Sequence, residues 1–281
     1  MTDKQTDKHK ISEEKPHSTK AHRNYDHKPE ELVSPFISRP AKFNIDNDLI
    51  LSAETRLQID ECMAKIKFHK QIYFDWNFKS VDPMGRSVIL NFFGPPGTGK
   101  TLAAEALAGT LGHEIIQIGI AELESKFLGE TATNIQAAFK AADESGAILF
   151  FDEADTLLGK RLSSVTQGVD NEVNAMRSTM LIELEKFDGI AIFATNFAKN
   201  YDDAFRSRIS HHIHFKLPDL EARKKLWARM LVEQIPLEET KEEFIQWSAE
   251  LSEGFSGREI RTGMRLALPK ALMEAEEKSC Q

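Results

Sequence analysis

The eight residues Gly94-Pro95-Pro96-Gly97-Thr98-Gly99-Lys100-Thr101 constrain this chain more than any other stretch. They match G-x-x-x-x-G-K-[ST] and lie between an apolar run, Val88-Ile89-Leu90-Asn91-Phe92-Phe93, and a helix-forming run, Leu102-Ala103-Ala104-Glu105-Ala106-Leu107-Ala108. A strand, a glycine-rich loop and a helix in that order make a phosphate cradle. The glycines let backbone N–H groups turn toward phosphate oxygens, and the helix presents its positive end to the same anion. The pattern predicts a nucleoside triphosphate held by Gly94, Pro95, Pro96, Gly97, Thr98, Gly99, Lys100, Thr101 and Leu102. Lys100 is expected to reach the β and γ phosphates and the Thr101 hydroxyl to hold magnesium.

A chain of 281 residues accommodates one large α/β domain plus a small one, or two medium domains. The net charge of −8 gives no overall electrostatic reason to expect nucleic acid or an anionic membrane as partner. Cys62 and Cys280 are too few for a disulfide framework, which fits a reducing cytoplasm. No apolar run approaches the roughly 18 residues of a membrane span, and the charged start lacks the apolar core of a signal peptide.

Residues 1 to about 30 are polar and charged, with almost nothing apolar to bury, and read as a disordered tail. Its histidines His9, His17, His22 and His27 show no metal-ligand spacing. Residues 32–40, interrupted by Pro35 and Pro40, read as a linker, with ordered structure starting near Phe43. Ser52 is placed to cap a helix carrying Leu57, Ile59, Met63 and Ile66. Apolar runs at 115–120, 147–151 and 190–194 alternate with helical stretches, the pattern of a parallel sheet buried on both faces. After Leu217-Pro218-Asp219 the pattern is helical to the end, with Pro269 expected to kink or interrupt the last helix. The division expected is a tail and linker over 1–42, a large α/β domain over 43–216 and a small helical domain over 217–281.

The run Ile148-Leu149-Phe150-Phe151-Asp152-Glu153-Ala154-Asp155 is a buried strand ending in acids, about 50 residues beyond the phosphate loop. Asp152 at that edge is assigned to the magnesium shell. Glu153 is assigned to orient and deprotonate the attacking water. His211, His212 and His214 alternate as in a strand leaving the nucleotide edge, and no Cys or acid stands at ligand spacing for zinc.

On these motifs the chain, from about Phe43 to Glu274, resembles the AAA+ ATPases. It is most similar to stand-alone bacterial members in which a Trp-containing segment, here Asp75-Trp76-Asn77-Phe78, precedes the phosphate loop. The resemblance implies a P-loop NTPase fold, a three-layer parallel sheet followed by a small all-helical lid, and ATP hydrolysis with Mg2+. It implies that Asn196, in Phe193-Ala194-Thr195-Asn196, is the first sensor, and that Arg258, in Ser256-Gly257-Arg258-Glu259, is the second. Arg208, and after it Arg206, stand where the family carries the arginine finger that reaches a neighbouring subunit's γ-phosphate. Lys126-Phe127-Leu128-Gly129-Glu130 matches the central-pore loop, whose aromatic grips an extended polypeptide. Two features depart from the family: the inter-subunit signalling insert after Asp188-Gly189 is missing, and no folded N-terminal adaptor is evident.

The function implied is a hexameric ring motor that remodels or unfolds a protein client by threading it through the pore. A nucleic-acid loader is the alternative from another class, disfavoured by the acidic charge and the aromatic loop. A slow ATP-dependent switch or scaffold is a third reading. His113-Glu114 is followed by Ile-Ile-Gln and is not a zinc-protease motif. The arginine at the second sensor also occurs in the branch that remodels HORMA-domain signalling proteins, which makes a client of that kind one expectation. The partners expected are further copies of the chain and a protein client, with no nucleic acid and no membrane.

Overall fold

Each apolar run of the sequence becomes a strand of one sheet in the computed structural model, which describes residues 36–82, 87–123, 130–159, 168–196 and 201–279. The chain divides into two units, Met1–Val33 and Ser34–Gln281, and all described residues lie in the second. The tail expected at the N-terminus and the pore-loop residues Lys126, Phe127 and Leu128 lie outside the described residues.

Before the phosphate loop come β1 (Arg39–Pro40), α1 (Ile45–Asp48), α2 (Ala53–Lys70), a π-helical turn (Gln71–Asp75), a 3-10 turn (Phe78–Ser80) and β2 (Val88–Phe93). After it follow α3 (Lys100–Leu111), β3 (Glu114–Gly119), α4 (Ile120–Leu123), α5 (Glu130–Ser145), β4 (Ile148–Asp152), α6 (Asp155–Leu158), α7 (Gly168–Lys186) and β5 (Ile190–Thr195). The chain closes with α8 (Asp203–Arg206), β6 (His211–His214), α9 (Leu220–Met230), α10 (Lys241–Leu251) and α11 (Gly257–Ser279).

The strand order is β1-β3-β4-β5-β2-β6, with every pairing parallel except that of β1. Parallel strands need crossovers, and the helices that make them cover both faces. On one face Ile89, Leu149, Phe151 and Phe193 pack against α5 and α7 through Ile135, Phe139, Met180 and Leu184. On the other Leu90, Phe92, Phe150 and Ile192 pack against α2 and α3 through Ile59, Ala104 and Leu107. Period-two alternation in doubly buried strands thus feeds two cores, each fully buried large side chain contributing about 1.5–3 kcal/mol. The three-layer α/β architecture expected from the sequence is the one observed.

Three details differ from expectation. Residues 39–40, read as linker, form β1 along the sheet edge, antiparallel to β3. Pro40 is tolerated there because an edge strand leaves its nitrogen without a ladder partner. The segment is stapled to α3: Arg39 Nη1 and Nη2 donate to Glu105 Oε1 and Oε2 at 2.6 and 3.1 Å, and the Lys42 N–H donates to Glu105 Oε1 at 3.1 Å. Gly109 permits the crossing, since a Cβ there would stand 2.1 Å from the Phe43 carbonyl oxygen. Second, Ser52 does cap α2 by accepting from the Thr55 N–H, but Leu57 points outward and is exposed. Third, α11 runs on through Pro269 without interruption. Pro269 and Arg265 are both exposed, so water can satisfy the carbonyl that loses its donor.

The last helices pack on one another. Trp227 Nε1 donates to Ser252 Oγ at 2.9 Å, and buried Arg223 donates through Nε to the Ala249 carbonyl at 2.8 Å. Helix α10 begins with a capping box in which Thr240 and Glu243 satisfy each other's backbone N–H.

The staple predicts a pH signature. The Arg39 guanidinium, opposed by burial, holds the Glu105 carboxyl below its usual range. A depressed carboxylate stabilises the fold above its unfolded pKa, and that stability is lost as pH falls through the folded value. Arg39 is 38% exposed in its side chain, so screening discounts the pair. Arg39→Met should therefore cost about 1 kcal/mol at pH 7, and the difference from wild type should shrink below about pH 4. Denaturant unfolding at pH 7 and pH 3 measures both.

Candidate nucleotide site

The turn from β2 into α3 is built around one buried amino group. Lys100 Nζ donates to the Gly94 carbonyl at 2.8 Å, to the Pro95 carbonyl at 2.9 Å and to Asn196 Oδ1 at 3.0 Å. The side chain is 8% exposed, and burial pushes its pKa down. The Asp152 and Asp155 charges push it back up, and Arg258 lowers it again. Lys100 thus feels Asp152 at the end of β4, Asp155 at the start of α6 and the guanidinium on α11.

The neighbouring Thr101 Oγ1 donates to Asp152 Oδ2 at 3.0 Å. A hydroxyl and a carboxylate side by side are oxygen donors of the kind a hard divalent cation takes. Glu153 follows in the left-handed region, with φ +55° and its N–H donating to Asp152 Oδ1 at 2.9 Å. For a residue with a Cβ this conformation costs about 1–2 kcal/mol. Such strain concentrates at functional sites, and here it turns an exposed carboxylate off the strand end.

Asp155 has no role assigned from the sequence, yet it organises the adjacent strand end. Its Oδ1 accepts from the Thr195 hydroxyl and, at 2.9 Å, from the Asn196 N–H. Asn196 is thereby fixed beside Lys100. The signal was present as a third acid in Asp152-Glu153-Ala154-Asp155, but sequence alone does not show that it faces β5.

Lys100, Thr101, Asp152, Glu153 and Asn196 line one cavity of about 700 Å³. Its walls include Gly97 to Leu102, Asp152, Glu153 and Asn196 on the sheet side, and Leu226, Arg258 and Arg261 from the C-terminal helices. The Arg258 N–H donates to the Gly97 carbonyl at 3.3 Å. A Cβ on Gly97, whose φ is +77°, would stand 2.7 Å from Ser256 Oγ and 2.8 Å from Arg258 Cβ. The start of α11 therefore rests directly on the phosphate loop. Leu49, Ile50, Leu51, Leu226 and Met230 add apolar wall to the same cavity, a surface of the kind suited to a planar base. Arg229, also in the wall, donates to the Asp48 carbonyl at 2.5 Å and the Asn47 carbonyl at 2.8 Å. Neither Arg229 nor Arg261 was singled out from the sequence, because their relevance comes from folding α9 and α11 back over the loop.

Arg206 and Arg208 do not line this cavity. Arg206 ends α8 with an exposed side chain. Arg208 is engaged within the chain, where Nη1 donates to the Ala204 carbonyl at 2.7 Å and Nη2 forms an ion pair with Glu185 of α7. His211, His212 and His214 lie on β6 as expected, and among the described residues no group of three or more His, Cys, Asp or Glu is arranged to hold a metal ion. No described helix is long and apolar enough to cross a membrane.

Two substitutions test this geometry. Gly97→Ala forces α11 off the phosphate loop and should weaken binding of a fluorescent ATP analogue by about tenfold or more. Asp155→Asn keeps the size of the side chain but weakens the hold on Asn196. It should leave nucleotide affinity near wild type while lowering turnover by about 10- to 100-fold, read from phosphate release under saturating nucleotide.

Comparison with known proteins supplies the kinship of the chain. Residues 90–217 match the family described as ATPase family associated with various cellular activities (AAA). The chain is 38% identical over 197 residues to an uncharacterized AAA family ATPase of Sinorhizobium fredii, covering 67% of this chain and 55% of that protein. It is 35% identical over 176 residues to the proteasome-activating nucleotidase of Methanopyrus kandleri, covering 60% of this chain and 39% of the relative. The chain spans half or less of the length of the first curated relatives it matches. The fold is also that of the FIGL-1 AAA domain crystallised in complex with ADP, with TM-score 0.59, 22% identity, and coverage of 81% of this chain and 73% of that one. A buried phosphate-loop lysine, a strand-end acid pair and a strand-end asparagine, on this sheet and with this sequence kinship, make residues 90–217 an AAA ATPase domain.

Proposed function

We propose that this protein is an ATP-hydrolysing ring motor that remodels or unfolds a protein client by drawing it through a central pore. The observation that carries the reading is the asymmetry of the site. Lys100, Thr101, Asp152, Glu153, Asn196 and Arg258 belong to one cavity, whereas Arg206 and Arg208 lie off it. A cation set apart from its own subunit's site is what a site completed by a neighbour requires.

In this reading Lys100 and the loop N–H groups bind the β and γ phosphates, and Asn196 orients the attacking water. Glu153 accepts that water's proton. Magnesium, held through Thr101 and Asp152, would supply charge neutralisation between the phosphates. Arg258 brings the helices after Leu217, acting as a lid, into contact with the γ-phosphate side. Of the two α8 residues, Arg206 is presented without rearrangement, while Arg208 must leave Glu185 to act on a neighbour. Assembly into a hexamer and gripping of the client by Lys126, Phe127 and Leu128 complete the proposal. The kinship with a proteasome-activating nucleotidase supports a protein client, a HORMA-type signalling protein being one candidate.

Glu153→Gln should bind ATP with wild-type affinity, hydrolyse it at least 100-fold more slowly, and retain client and ring together. Copurification of a protein with this variant in ATP, and its loss on adding Phe127→Ala, is the expected outcome. Recovery of nucleic acid instead would overturn the reading. Arg206→Ala and Arg208→Ala should each keep ATP affinity and lose turnover, by up to about 10³- to 10⁵-fold for whichever serves as the finger. Near-normal turnover in the double variant would refute a site completed in trans.

A further inference from the structure

Asn91 is an amide placed where a sheet normally carries an aliphatic side chain. It sits in the middle of β2, fully buried, opposite Phe193 of β5 on one side and His212 of β6 on the other. Alternation along β2 puts it on the same face as Ile89, the face against which Phe205 of α8 and Ile209 pack. Its Nδ2 donates to the Tyr201 hydroxyl at 3.0 Å and lies 3.3 Å from His212 Nδ1, while its Oδ1 has no partner. A buried amide only partly satisfied costs stability that a leucine would not, so packing does not explain it.

What the amide joins is informative. Tyr201 and His212 flank the arginine-bearing segment, one just before α8 and the other just after it, and their rings stand 5.7 Å apart. Tyr201 also makes an antiparallel bridge with Gly159, and the Asp202 N–H donates to the Leu158 carbonyl at 2.9 Å, close behind Asp152 and Glu153. Asp202 then caps α8 by accepting from the Ala204 N–H. Partial burial, followed by the nearby Arg206 and His211 charges, pushes the His212 imidazole down, and with Nε2 carrying the proton its Nδ1 can accept from the Asn91 amide. The strand that ends in the phosphate loop therefore grips both ends of the segment carrying Arg206 and Arg208 through one side chain.

We propose that Asn91, Tyr201 and His212 form a polar clasp, buried at Asn91, half-buried at Tyr201 and open to solvent at His212, that sets the position of α8 relative to the phosphate loop. Asn91 and Tyr201 are then positioning residues for the cation lent to a neighbouring site. The clasp ties the state of a subunit's own nucleotide to the placement of its arginines. The role in turnover rests on the reading that those arginines act in trans.

Tyr201→Phe removes one hydroxyl, and Asn91→Leu fills the same space without polar groups, so both variants of the full chain should fold. Nucleotide affinity should stay within about twofold of wild type while turnover falls about tenfold or more. Hydrogen exchange at the amides of residues 203–209 should accelerate, with β2 and β4 unchanged. Mixing either variant with excess Glu153→Gln copies, whose α8 is native, should restore turnover per active subunit. The Arg206→Ala/Arg208→Ala double variant should be rescued in the same way.

Wild-type turnover and exchange in both variants would overturn the clasp, and so would a loss of affinity in step with turnover. Rescue of the double-arginine variant without rescue of the clasp variants would also overturn it. If the double-arginine variant is not rescued, action in trans fails. The clasp is then judged on exchange and turnover of the unmixed variants alone.

Discussion

The hydrogen bonds from Lys100 to Gly94, Pro95 and Asn196 hold together the part of the molecule on which everything else depends. A buried ammonium must be surrounded by acceptors, because an unpaired charge away from water is costly. Two of its acceptors belong to the loop itself and the third to the end of β5, so the loop conformation and the strand adjacency are satisfied together. Asp152 at the end of β4, one strand further on, and Asp155 just beyond it oppose the effect of burial on the lysine.

Around that centre, local strain and close approach mark the working parts. Glu153 occupies left-handed backbone at the point where the chain leaves β4. Gly97 has room for no side chain because the start of α11 lies against it. Both are places where a more comfortable residue or conformation was available, and in both the departure brings a charged side chain, Glu153 or Arg258, to the cavity. Asp155 and Thr195 perform the quieter task of pinning Asn196, by joining the acid turn to the neighbouring strand end.

The parallel order β4-β5-β2-β6 also sets which groups are neighbours across the sheet. Hydrogen-bonded strands carry the acids, the asparagine, the phosphate loop and the segment after the arginines in immediate succession. An amide in the middle of β2 can therefore touch groups on both sides of α8 while being covalently continuous with the loop. The N-terminal staple through Arg39 and Glu105 braces the opposite, outer side of α3, so the phosphate-loop helix is held from two directions.

Much of this was legible in the chain itself. The phosphate loop, the acids after Phe151, the asparagine after Thr195 and the strands around them were readable because their signals are local. Glycine spacing, apolar runs and a polar residue at a strand end each act within a few residues, and steric and hydrogen-bonding rules translate them directly. Tertiary structure alone decided the relations between distant segments: β1 pairing along an edge where a linker was expected, Arg229 reaching the last residues of α1, Arg208 engaged by Glu185 while Arg206 stands exposed, and the amide of Asn91 meeting Tyr201 and His212. Those contacts join residues far apart in sequence, and no local pattern encodes them. They arise only when the crossovers bring the strand ends together and the helices fold back over them.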